Sequence, residues 1–188
     1  MRTFIAIELS KEVKDDLAKL QHELNKADAD VKWVKPENIH LTLKFLGEVG
    51  EDKIEDMKKV LDGISGKNKP FELSLFKLGA FPSINSPRVV WVGIDKGCGE
   101  SEQIAKSIED ELEKLDFPKE ERPFNAHLTL GRVRSGKNKA MLKERLSATE
   151  VRPKSCRIND ITIFQSILTP KGPIYSPLHA AKLTPLDN

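Results

Sequence analysis

Cysteine is nearly missing from this chain. Its two copies in 188 residues, Cys98 and Cys156, are isolated, with neither disulfide-framework nor zinc-ligand spacing, and each reads as a small buried or half-buried residue. No apolar run approaches the ~20 residues that a membrane-spanning helix needs. The opening MRTFIAIELSKEVKDDL turns charged too early for a secretory signal and reads as a first strand. A cytoplasmic protein without a membrane partner is therefore expected. Net charge is also small: 31 Lys and Arg against 29 Asp and Glu leave +2, which permits a polyanionic partner without demanding one. Only three Gln accompany the many Lys and Glu residues, a composition compatible with a thermophilic source. There is no low-complexity tract and no long linker. At 188 residues the chain fits one domain, or two small lobes sharing a core, and the repeat described below divides 1–188 into halves of approximately 1–85 and 86–188.

What is present is a soluble globular composition, 38% hydrophobic and 32% charged, with clear periodicity. Residues 3–8 alternate as a strand, and Ser10 offers an N-cap to a helix through about Lys26, with Val13, Leu17, Leu20 and Leu24 on one face. A short strand at 31–34, a turn at Pro36–Asn38 and a strand at 39–46, closed by Gly47, follow. Ile54, Met57, Leu61 and Ile64 mark a second helix. Strands are predicted at 71–78 and 88–94, and a helix over 101–115 with Ile104, Ile108, Leu112 and Leu115 inward. A strand at 126–133, a short helix at 138–147, an extended stretch at 155–168 and a last strand at 175–183 complete the reading. Each half runs strand, helix, strand, helix, strand, which favours a duplicated α+β fold over a doubly wound parallel one.

The repeat is visible in the residues themselves. PENIHLTL at 36–43 returns as PFNAHLTL at 123–130, matching at Pro, Asn, His, Leu, Thr and Leu, with a basic residue, Lys35 or Arg122, before each copy. On a strand, alternation puts Asn38, His40 and Thr42 on one face, and Asn125, His127 and Thr129 on the equivalent face of the second copy. Packing would preserve the leucines but gives no reason to keep a histidine twice. Two imidazoles facing one cleft can divide acid and base roles, because each titrates near neutrality. Threonine hydroxyls can hold the non-bridging oxygens of a phosphoryl group. No Ser or Cys nucleophile stands beside either histidine, which favours phosphate over carbonyl chemistry. Two histidines without a carboxylate cluster also make a poor metal site, so neither metal nor cofactor is expected. Asn38 and Asn125 read as turn-shaping residues, and His22 and His179 as structural ones.

HLTLKFLG at 40–47 and HLTLGRV at 127–133 resemble the paired signatures of the two-histidine (HxTx) phosphoesterase superfamily. RTFIAIEL, VKWVKPENIHLTLKFLGEV and PRVVWVGI are similar to its RNA 2′,3′-cyclic phosphodiesterase, or 2′-5′ RNA ligase, branch. The resemblance implies two antiparallel β-sheet lobes with outer helices and a central cleft carrying both motifs. It implies metal-free hydrolysis of an RNA 2′,3′-cyclic phosphate to a 2′-phosphomonoester, with His40 as proton donor, His127 as proton acceptor, and Thr42 and Thr129 gripping phosphate. Joining or cleaving 2′-5′ linkages is the same displacement with a ribose hydroxyl in place of water. The partners it implies are RNAs with cyclic phosphate ends, tRNA fragments among them, acted on by a monomer.

Arg132 is a candidate phosphate clamp, since guanidinium presents paired charged donors. Strict alternation puts it opposite His127, a difficulty that a bulge at Gly131 would remove. Lys44 has the parity of His40 and is a candidate rim charge. Trp33, Phe45, Arg88, Trp91 and Tyr175 are candidate stackers for base and ribose, with Phe45 and Trp91 equally readable as core. Two alternatives stay open: a cyclic phosphodiesterase for small nucleotides, and a nucleotide- or RNA-binding module without turnover.

Overall fold

The computed structural model describes residues 1–184; residues 185–188, the end of the expected domain, lie outside them. Strand β1 (Arg2–Glu8) leads to helix α1 (Lys11–Asn25), where the Ser10 hydroxyl accepts a hydrogen bond from Val13 N–H. Val13, Leu17, Leu20 and Leu24 form its buried stripe, joined by the polar Gln21. Strand β2 (Val31–Trp33), a 3₁₀ turn at Pro36–Asn38 and strand β3 (His40–Glu48) carry the first motif. Helix α2 (Glu51–Ser65) buries the four predicted apolar residues. The hairpin β4 (Phe71–Ser83) and β5 (Ser86–Ile94) is longer than predicted, because β4 continues through Pro82, where the pairing register shifts. Helix α3 (Cys98–Glu113) precedes strand β6 (His127–Val133), which holds the second motif. Leu115, expected on the inward face of α3, falls beyond its end and is half-buried. Helix α4 (Lys139–Ala148) follows, and the extended stretch after it divides into β7 (Ser155–Ile158) and β8 (Asp160–Thr169) before β9 (Gly172–Lys182). Among the described residues, no helix is long and apolar enough to cross a membrane.

Two antiparallel sheets result, in the orders β3-β1-β8-β9 and β2-β6-β5-β4-β7. This is the duplicated α+β architecture the sequence predicts, but the sheets exchange strands across residue 85. The short β2 joins the second sheet, β4 pairs there with β5, and β8 and β9 return to complete the first. The motif strand, its neighbour and the next strand occupy the same positions in both: β3-β1-β8 corresponds to β6-β5-β4. One apolar core runs beneath both sheets and takes in the buried faces of all four helices.

The sheets are seamed at the motif strands, which contact each other directly. Val34 N–H donates to Leu130 O at 2.8 Å, tying the segment entering the first motif to the strand of the second. The buried Gln21 amide donates to Val34 O at 2.7 Å and to Leu130 O at 2.9 Å across the same seam.

Both motif strands carry a bulge at the same place. Ala6 pairs with Thr42 and Ile5 with Lys44, so Leu43 is extra; Trp91 pairs with Thr129 and Val90 with Gly131, so Leu130 is extra. Two successive side chains then point inward and the parity of the next residues reverses, until a second shift at Leu46 in β3. Lys44, expected on the cleft rim, is instead buried at 3% exposure. Its ammonium donates to Glu109 Oε2 at 2.7 Å and to Pro118 O at 2.8 Å, while Glu109 Oε2 also accepts from Glu120 N–H at 3.2 Å. Lys44 thus braces β3 against α3 and the segment leading to the second motif.

A buried ion pair loses far more when one partner is removed than when both are replaced. Lys44→Ala should therefore destabilise the protein by about 3–5 kcal/mol in urea denaturation. The Lys44→Met, Glu109→Leu double variant should recover most of that loss. A cost under ~1 kcal/mol for the single variant would mean that water solvates the pair.

Candidate active site

Each motif histidine is fixed by its own turn. His40 Nδ1 lies 2.8 Å from Asn38 O, and His127 Nδ1 lies 2.7 Å from Asn125 O. A carbonyl only accepts, so both Nδ1 atoms carry hydrogen and both Nε2 atoms are left for chemistry. Asn38 in turn donates through Nδ2 to Pro173 O at 2.9 Å, anchoring the first motif to β9. Thr42 and Thr129, two residues along each strand, are half-exposed on the same faces as the histidines. The bulge at Gly131 supplies the reversal that Arg132 requires: Leu130 and Gly131 are both buried and Arg132 emerges exposed on the His127 face. Arg132 opposes protonation of His127 and favours ionisation of Tyr175, on the other sheet, so its charge acts on both sides of the cleft.

The surroundings of the two rings differ. His40 stacks on Phe4, with centroids 4.8 Å apart, and meets the edge of Tyr175 at 5.3 Å. Phe4 stacks in turn on Phe164 at 5.3 Å, and with Ala6 these form a small second core on the cleft side of the first sheet. A cavity of about 130 Å³ opens here, lined by Phe4, Glu8, Asn38, His40, Phe164 and Tyr175 among others. His127 meets Phe81 edge-on at 5.0 Å and Trp91 at 6.3 Å. Trp91 lies over Gly79, where a Cβ would come within 2.2 Å of the indole, so only glycine leaves room for it. A larger groove of about 710 Å³, between α1 and residues 149–152, contains no motif residue.

Other expected contributors fall into three groups. Tyr175 belongs to the His40 wall, and Phe45, 63% exposed, stands on the cleft face 6.3 Å from Phe4. Trp33 does not enter the cleft. It pairs with Gly131 on the core face, lies 2.8 Å from where a Gly131 Cβ would be, and donates from Nε1 to Asn25 Oδ1 on α1 at 2.8 Å. Arg88 is exposed at the irregular end of the β4–β5 hairpin, and its side chain makes no hydrogen bond or ion pair among the described residues. His179 is structural, as expected, bonded to Asp62 Oδ1 at 2.7 Å. Phe4, Phe81, Phe164 and Glu8 line the site without any sequence signal beyond their places in apolar strands; only the strand register reveals them. Among the described residues, no group of three or more His, Cys, Asp or Glu stands together as a metal site.

A two-sheet protein that presents one tautomer-locked histidine and one threonine from each of two matched strands is, by fold and site, a duplicated phosphoesterase. The LigT-like phosphoesterase pattern matches it twice, at residues 7–91 and 92–175. The chain belongs to the LigT-like phosphoesterase family. It is 40% identical over 179 residues to the RNA 2′,3′-cyclic phosphodiesterase of Archaeoglobus fulgidus, covering 95% of this chain and 98% of that protein. It is 36% identical over 184 residues to the protein of the same name from Methanothermobacter thermautotrophicus, covering 97% and 99%. A crystal structure of a Thermus thermophilus protein superposes with a TM-score of 0.81 at 27% identity, covering 97% of this chain and 98% of that one. Escherichia coli LigT complexed with 3′-AMP superposes at 0.75, also at 27% identity, with 98% of each chain covered.

Burial is the main force on both imidazoles and pushes each below the ordinary value of 6.5, against the favourable carbonyl bond. At His40, Lys14 adds to the depression and Glu8, ion-paired to Lys14 at 3.0 Å, opposes it; at His127, Arg132 deepens it. Both rings should titrate below 6.5 when followed by NMR in the free protein. A histidine with a depressed folded pKa lets the unfolded chain bind more protons at mildly acid pH. The stability these rings contribute is thus complete above 6.5 and declines as pH falls from there through their folded values. Either ring titrating above 6.5 would contradict this account of its surroundings.

Proposed function

We propose that the protein hydrolyses 2′,3′-cyclic phosphate ends of RNA to 2′-phosphomonoesters by metal-free acid–base catalysis. The observation that carries this reading is the matched pair of Nδ1-anchored histidines, each leaving Nε2 free beside a threonine. Neutral His127 Nε2 accepts a proton from a water molecule as its oxygen attacks phosphorus. The P–O3′ bond breaks, and protonated His40 Nε2–H donates to the departing 3′ oxygen; solvent exchange then restores both rings. Thr42, Thr129 and Arg132 hold the non-bridging oxygens and the charge that develops on them. The roles follow the resemblance, and the guanidinium of Arg132, which disfavours a proton on His127, is in keeping with a base there. A ribose hydroxyl in place of water gives 2′-5′ ligation or cleavage by the same steps. In this reading Phe45 and Tyr175 pack on the terminal nucleoside.

A second reading is hydrolysis of small cyclic nucleotides. It is favoured by the modest cavity at His40 and by the 3′-AMP complex of the E. coli relative. Turnover of cyclic mononucleotides against cyclic-ended oligonucleotides separates the two.

RNA with a 2′,3′-cyclic end should yield a 2′-phosphate, identified by phosphorus NMR against 2′- and 3′-phosphate standards, and EDTA should leave the rate unchanged. His40→Ala and His127→Ala should each lower turnover by at least ~10²-fold with unchanged circular dichroism. kcat/KM should be bell-shaped in pH. It rises as His127 loses its proton and falls as His40 does, with both limbs belonging to the coupled pair. Because burial lowers both free-enzyme values, the maximum of kcat/KM should lie on the acid side of 6.5. A 3′-phosphate product, dependence on added Mg²⁺, or wild-type activity in either alanine variant would refute the scheme.

A further inference from the structure

Strand β2 adds a cation to the cleft that neither motif contains. Lys32 pairs in register with Arg132, and Trp33 with Gly131. Paired residues on neighbouring strands share a face, so Lys32 lies on the face of Arg132, His127 and Thr129. The glycine contacts give the same orientation independently. A Cβ on Gly131 would meet Val31 Cγ1 at 2.7 Å and Trp33 Cε3 at 2.8 Å, so the two residues flanking Lys32 point to the core and Lys32 points away from it. Lys32 is exposed, and like Arg132 it forms no ion pair among the described residues. Many other surface lysines, Lys11, Lys19, Lys26, Lys58, Lys59 and Lys114 among them, are paired with carboxylates three or four residues away. No acidic residue shares the His127 face on β2, β6 or β5: its other members are Thr129, Trp91, Val89 and Gly93. Lys32 stands one strand from Arg132, about 4.8 Å in backbone separation, on the side of the seam with the first sheet.

A cation one strand from the phosphate-directed arginine, on a face without carboxylates, fits a second phosphate of the same substrate. A cyclic phosphate ends its strand, so the only further phosphates lie upstream. We propose that Lys32 binds the phosphodiester on the 5′ side of the terminal nucleoside, forming a subsite that selects oligonucleotides over cyclic mononucleotides. This rests on the hydrolytic reading above and extends it to substrate length. Lysine suits the task, because a mobile diester needs a point charge rather than a bidentate fork. No base is read by such a contact, so the preference conferred is for length and not for sequence.

The test compares a cyclic-ended dinucleotide with the matching 2′,3′-cyclic mononucleotide lacking a 5′-phosphate, for wild type, Lys32→Ala and Lys32→Arg. The ratio of kcat/KM, dinucleotide over mononucleotide, should fall roughly tenfold in Lys32→Ala and recover in Lys32→Arg. The slope of log kcat/KM against log salt for the dinucleotide should flatten by about 0.7, the value for one phosphate contact on a single strand. Affinity for the dinucleotide ending in a 2′-phosphate, measured by titration calorimetry, should fall in parallel. An unchanged ratio and affinity in Lys32→Ala, with wild-type turnover intact, would overturn the subsite and leave the hydrolytic reading standing. An equal loss on both substrates would place Lys32 at the reacting phosphate and also overturn the subsite. Absence of wild-type turnover on both substrates would overturn the hydrolytic reading, with the calorimetric comparison still deciding whether Lys32 holds the upstream phosphate.

Discussion

The seam between the motif strands is the constraint on which the site depends. Leu130 O accepts from Val34 N–H and from the buried Gln21 amide, and the same amide donates to Val34 O. These bonds join helix α1, the segment entering the first motif and the strand of the second at one point inside the protein. Each is worth only about 1 kcal/mol in net terms, but leaving such groups buried without partners costs about 1–3 kcal/mol apiece. The seam is therefore made completely or broken at a cost the fold cannot absorb several times over. Because Val34 is followed directly by the turn holding His40, and Leu130 follows Thr129, fixing their backbone contact also fixes the frames of both histidines.

Duplication then supplies equivalent chemistry, and small departures from it supply difference. The two bulges occupy the same register, yet the inward position is Lys44 in one strand and Gly131 in the other. Each choice answers its surroundings. Lys44 meets Glu109 and the carbonyl of Pro118, whereas Gly131 must admit Val31 and Trp33 at distances no side chain would allow. The next position is Phe45 in one strand and Arg132 in the other, so the first lobe offers an aromatic ring where the second offers charge. Opposite the histidines the register places Glu8 by His40 and Gly93 by His127. A symmetric scaffold thus holds two imidazoles in one tautomer while surrounding them with different charges.

The helices, the two motif strands and the duplicated α+β class are legible in the sequence because each rests on a period: apolar residues three and four apart on α1, α2 and α3, and alternation along β3 and β6. The possibility of a bulge at Gly131 is legible from a glycine before an arginine. Its counterpart in the first copy is not, because Lys44 carries no such mark and strict alternation sends it to the wrong face. The strand predicted at 71–78 is read short, because β4 continues through Pro82, where the ladder is already irregular. Trp33 reads as a stacker because aromaticity in a sequence does not say which side of a strand is up.

Residue identity and the fixed period of a strand are enough to single out the candidate site: two histidines and two threonines, each pair spaced to share a strand face, in segments too alike to be accidental. Neither property says that β8 and β9 return to the first sheet, that Phe4 and Phe164 floor His40, that Lys44 is a brace, or that Lys32 stands beside Arg132. Periodicity states which face of an element is buried but not which neighbour buries it. That choice is made by long-range backbone pairing, in which Phe4 with Phe164 and Lys32 with Arg132 become neighbours across 160 and 100 residues of chain.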